Sequence, residues 1–97
     1  MIIVTGSVVA RPETFDQLLA LCREHVDRSR KEPGCISHAV YSDVDDPMRL
    51  VFFEQWESRD ALATHFAVPA SGEFVAAARK LTSASPTLEI FSADLTR

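Results

Sequence analysis

From Pro12 to Lys31 the apolar residues recur at helical spacing, and on both sides of that stretch they alternate with the period of a strand. Phe15, Leu18, Leu19, Cys22 and Val26 fall on one helical stripe, while Asp16, Arg23, Glu24, Asp27 and Arg30 occupy the opposite, solvated face. Pro12 stands where a missing N–H does no harm, and Pro33-Gly34 is a strong stop, so the spacing predicts a helix over about residues 12–31. Before it, Ile2, Val4, Val8 and Ala10 share one parity and Ile3, Thr5, Ser7 and Val9 the other. That is a strand with apolar residues on both sides, with Gly6 as the place for a bulge.

After the helix, residues 35–43 alternate as a second strand and residues 48–57 as a third. Asp43-Val44-Asp45-Asp46-Pro47 joins them as a turn, because short acidic side chains and proline favour turn geometry. Ser58 is a helix N-cap in front of Ala61, Leu62 and Phe66, and Pro69 breaks that helix. A further helical piece over about 72–81 places Phe74, Val75, Ala78 and Leu81 inward, 83–86 is a loop, and 87–95 is the last strand. The order β-α-β-β-α-β in one domain, residues 1–97, is the pattern of an α+β ferredoxin-like fold: a four-stranded antiparallel sheet with helices on one face.

The other face of such a sheet should alternate apolar with polar if it meets water. Here it does not. Strand three carries Leu50, Phe52 and Trp56 on one side and Val51 and Phe53 on the other; strand four carries Leu88 and Ile90 against Phe91, Ala93 and Leu95. The simplest cover in a chain of 97 residues is a second copy, packed sheet to sheet about a two-fold axis, so a homodimer is expected.

Charge and punctuation exclude several functions. Ten basic against 14 acidic residues give a net charge of −4, and the longest basic cluster, Arg28, Arg30 and Lys31, is followed at once by Glu32, which argues against nucleic acid. Apolar stretches such as 1–4 and 50–53 are far short of a membrane span, and the N-terminus reads as a strand instead of a signal peptide. Cys22 and Cys35 form no CxxC, and reduced thiols in a cytoplasm are the expectation. No HxH, HxxxH or CxxC occurs, and His25, His38 and His65 lie on separate elements, so no metal site is expected from spacing. Gly6, Gly34 and Gly72 make no phosphate loop, and no GxSxG elbow is present.

Glu32-Pro33-Gly34-Cys35, Tyr41, Asp43-Val44-Asp45-Asp46-Pro47, Phe53-Glu54-Gln55-Trp56-Glu57 and His65 together resemble the antibiotic biosynthesis monooxygenase superfamily. The resemblance implies a ferredoxin-like fold that dimerises into an α/β barrel. For the enzymes of the family it implies oxygenation of phenolic or quinol-like compounds without metal, flavin or haem. The haem-degrading relatives carry an asparagine on the first strand, a tryptophan after strand three and a haem-ligating histidine in the following helix. Here Thr5, His65 and an alanine near Ala78 stand at those places, so haem degradation is not expected.

Each candidate site residue has a plain reading beside the chemical one. His65 flanks an apolar helix face; it is either a partly exposed histidine beside the core or, given the resemblance, a pocket base that takes a phenolic proton. Trp56 is core or the wall against which an aromatic ligand stacks, with Phe66 as further wall. Glu54 shares its side with Leu50, Phe52 and Trp56, so it needs a partner: Arg49, Arg79 or a residue of the second subunit, or else a histidine that it orients. Tyr41 could hydrogen-bond a substrate oxygen, but its parity is opposite to that of His38, for which a core or interface place is favoured. The expected ligand is a small aromatic hydroxyl compound. A non-catalytic dimeric binding protein and an isomerase for a small signalling metabolite are the competing readings.

Overall fold

A computed structural model describes residues 1–97. The chain runs β1 (Ile2–Val9), a 3-10 turn (Pro12–Thr14), α1 (Phe15–Ser29), β2 (Cys35–Ser42), β3 (Arg49–Trp56), α2 (Arg59–Ala67), α3 (Pro69–Arg79) and β4 (Thr87–Ser92). The strands form one antiparallel sheet in the order β2-β3-β1-β4. This is the ferredoxin-like fold the sequence predicts, with three helices because the second helical segment is in two pieces.

The boundaries differ from the sequence pattern in physically simple ways. The first helix opens with a 3-10 turn, in which Thr14 Oγ1 donates to the Leu81 carbonyl at 2.6 Å, and becomes α-helical only at Phe15. Pro69 ends α2 but also begins α3, since a proline at the first helical position gives up a hydrogen bond that would not form anyway. Gly6 is not a bulge: β1 keeps unbroken register with β3 and β4. A glycine is needed there because a Cβ would lie 2.8 Å from the Thr87 carbonyl oxygen. The irregularity falls instead on β2, between Cys35 and Ser37. Gly34 adopts φ +82°, and a side chain on it would collide with that of Ala61, so Gly34 both turns the chain and lets α2 close on it.

Alternation along β3 sorts the sheet. Leu50 and Phe52 join Val8, Leu18, Cys22 and Val26 in one apolar cluster under α1, and Trp56 joins Ile2, Val4 and Leu62 in a second under α2. Glu54 lies on β3 between Phe52 and Trp56, where the two clusters meet, and is buried. On the opposite face Phe53 and Tyr41 are exposed. The edge strand β4 is exposed along its whole length, including Leu88, Ile90 and Phe91. No helix is long and apolar enough to cross a membrane.

Candidate functional site

Four buried polar side chains from four elements converge between the two apolar clusters: His25 from α1, His38 from β2, Glu54 from β3 and His65 from α2. The cross-strand register sets His38 opposite Glu54. His25 is one helical step from Cys22 and two from Leu18, so it points inward on the apolar stripe. The three imidazoles form a near-equilateral triangle with ring centroids 5.3, 5.3 and 5.6 Å apart. Trp56 lies against His65 at 4.5 Å between ring centroids, and Phe74 stacks on His25 at 4.1 Å with planes within 7°.

Glu54 Oε1 is the hub. Trp56 Nε1–H donates to it at 2.9 Å, His38 Nε2 stands 3.2 Å away, and His65 Nε2 stands 4.0 Å away. The His38 contact is in range but poorly directed, and neither ring nitrogen of His38 has a well-formed hydrogen bond. The far side of His65 is held by Glu32, a residue of the connection after α1: Nδ1 lies 2.7 Å from Glu32 Oε1. An ionised carboxylate only accepts, so against Glu32 the proton sits on Nδ1, and Nε2 is the nitrogen on the side of Glu54. Arg28 Nη2 donates to His25 Nδ1 at 2.6 Å and reaches the Ala70 carbonyl at 3.3 Å.

The electrostatics follow from burial and crowding. Burial first, then the neighbouring His38, His65 and Arg28, push His25 down to about 3, with Glu54 opposing; His25 is therefore neutral at ordinary pH. Burial works to raise the Glu54 carboxyl. Its contacts with His38 and Trp56 and the nearby His65 outweigh that, and Glu54 is held below the usual carboxylate range. Burial pushes the Cys22 thiol up to about 12, so it is an inert part of the core.

The sequence model of the family described as antibiotic biosynthesis monooxygenase matches residues 1–80. The chain belongs to that family. A crystal structure of an antibiotic biosynthesis monooxygenase has 30% sequence identity, a TM-score of 0.89, and coverage of 98% of this chain and 100% of that one. An uncharacterized protein of Synechocystis is 34% identical over 90 residues, 93% of this chain; the chain spans 61% of that relative's length. The Bacillus subtilis protein YcnE, named a monooxygenase on a provisional basis, is 26% identical over 84 residues, 87% of this chain and 88% of that one.

Within this antibiotic biosynthesis monooxygenase fold, the structure brings together three of the residues singled out from sequence, His65, Trp56 and Glu54. His65 is 2% exposed, so it is a buried residue and not a partly exposed one. The partners of Glu54 are histidines and Trp56, in place of Arg49 or Arg79. Phe66 lies 5.6 Å from the His65 ring and is the exposed aromatic beside it. Tyr41 is not brought to them. It is exposed on the opposite sheet face, in a shallow hollow of about 300 Å³ shared with Arg30, Ile36 and Phe53. His38, read as a core or interface histidine, and His25, named only as one of three histidines on separate elements, both join the site, as does Glu32, which stood only as the first residue of the Glu32-Pro33-Gly34-Cys35 motif. The helical stripe through Leu18 and Cys22 was the signal for His25. The parity of His38 with Val40 was the signal for His38, whereas nothing local in the sequence pairs Glu32 with His65.

Proposed function

We propose that the chain is a cofactor-independent monooxygenase acting on a small aromatic hydroxyl compound such as a quinol or an anthrone. The observation that carries this is a buried histidine set between two carboxylates, Glu32 on Nδ1 and Glu54 facing Nε2, in a chain of this family. His65 Nε2 takes the phenolic proton, with Glu32 fixing the tautomer and Glu54 stabilising the imidazolium that results. The substrate anion gives an electron pair to O₂. One oxygen atom stays on the ring carbon, and the other leaves as water with the two hydrogens lost by the substrate. The protein contributes position and a dry, charge-complementary surround.

His65, Trp56 and His38 are packed closed, so substrate reaches the base only when side chains part, with Phe66 at the exposed end. The same closed packing is what favours a second reading, a non-catalytic binding protein whose ligand occupies the hollow beside Tyr41. Both readings include a homodimer, supported by the exposed apolar residues Phe53, Leu88, Ile90 and Phe91. The test is oxygen uptake by purified, chelator-treated protein against a panel of quinols and anthrones, beside His65→Ala. Uptake above the spontaneous rate that falls in the variant supports the oxygenase. No uptake from folded dimer with any panel member rejects it in favour of the binding reading.

A further inference from the structure

His65 Nε2 faces a Glu54 carboxylate oxygen at 4.0 Å in a buried place, where the two can share a cation. His38 adds a second imidazole nitrogen 3.2 Å from the same oxygen, on a side chain 1% exposed whose nitrogens have no well-directed partner. His25 completes the set: one nitrogen from each of the three rings lies within 4.8 Å of the others. All three rings are buried, His25 at 6%, His38 at 1% and His65 at 2% exposure.

We propose that His25, His38 and His65, with Glu54 as the oxygen donor, bind one divalent transition-metal ion of the nitrogen-preferring kind, Zn²⁺ being the representative. Zinc–nitrogen bonds of about 2.0–2.1 Å in tetrahedral geometry put ligand nitrogens about 3.3 Å apart, so the triangle contracts by up to roughly 1.5 Å on binding. Three imidazoles and a carboxylate are a donor set that zinc accepts. Glu32 behind His65 is the carboxylate that orients a metal-ligating histidine and fixes its tautomer. His25 Nδ1 accepts from Arg28, so ligation through Nε2 puts the ring proton on Nδ1 and shifts Arg28 to its other acceptor, the Ala70 carbonyl.

One lone pair cannot serve two purposes. If His65 Nε2 holds the ion it cannot take a substrate proton, so Zn²⁺ would inhibit the oxygenase; this consequence rests on the function proposed above, whereas the binding does not. The experiment titrates chelator-treated protein with Co²⁺, following its visible ligand-field bands, and measures Zn²⁺ by competition and equilibrium dialysis. Expected are one ion per chain, bands of a nitrogen and oxygen site, and affinity about 10- to 100-fold weaker in Glu32→Gln. His25→Phe, which keeps the stack on Phe74, is expected to lose stoichiometric binding. No ion retained at one per chain, thiolate bands that put it on Cys35, or equal retention by wild type and both variants would overturn the site. If Co²⁺ binds as expected but no panel substrate consumes oxygen, the metal site stands and the oxygenase reading falls; uptake without ion binding gives the reverse.

Discussion

Replacing His25 with phenylalanine should remove most of the stability the protein loses between neutral and mildly acidic pH. His25 is 6% exposed and is faced by His38 from β2, His65 from α2, Glu54 from β3 and Arg28 from its own helix, with the Phe74 ring stacked on it from α3. Its folded value of about 3 lies below the ordinary 6.5, so between those two values the unfolded chain binds the extra proton. Its contribution is fully present above pH 6.5 and is lost as pH falls toward 3, with a slope reaching about 1.4 kcal/mol per pH unit. Integrated from pH 7.5 to 5, the loss is about 2 kcal/mol. Glu54, held below 4.5, adds its own loss in the same direction, but only below that window. Urea unfolding of wild type and His25→Phe at fixed protein concentration, across pH 5 to 7.5, isolates the term in their difference, because all other groups are common to both. A wild-type loss about 2 kcal/mol larger than that of the variant is expected. Parallel pH profiles would refute the assignment of His25 as the buried neutral member of the cluster.

Other consequences follow from the same contacts. Trp56→Phe deletes the N–H donated to Glu54 and should cost about 1–3 kcal/mol in urea unfolding; a neutral effect would mean Glu54 is satisfied without it. Gly34→Ala forces a side chain into a left-handed backbone position and against Ala61, and should lower stability by more than about 1 kcal/mol, read from the unfolding midpoint. Phe91→Asp on the exposed edge strand should convert a dimer to a monomer in light scattering at micromolar concentration, and a wild-type protein already monomeric there would remove the dimer from the account.

The fold was legible because its signals are local. Period-3.6 and period-2 patterning, Pro33-Gly34 and the acidic turn before Met48 set the order of elements without reference to tertiary contacts. Element ends were less legible, since Pro69 can end one helix and begin the next, and only packing decides that it does both. Half of the site was legible too: Glu54 among apolar neighbours announces a buried carboxylate that needs partners. The identity of those partners was not, because spacing along a chain says nothing of histidines that meet from α1, β2 and α2. Treating His25, His38 and His65 as separate because their elements are separate missed that the fold brings all three under one roof. Tyr41 is the converse, a motif residue that the sheet itself separates from His65.

The central claim is that His65, oriented by Glu32, takes the substrate proton, and the most direct measurement is a double-mutant cycle on oxygen-uptake rate with a responsive quinol or anthrone. His65→Ala should lower kcat/KM by roughly 10²-fold or more, the usual contribution of a positioned base. Glu32→Gln should lower it by less, and the double variant should be no slower than His65→Ala alone, since Glu32 acts only through His65. Losses that multiply, or a His65→Ala enzyme as fast as wild type, would contradict it.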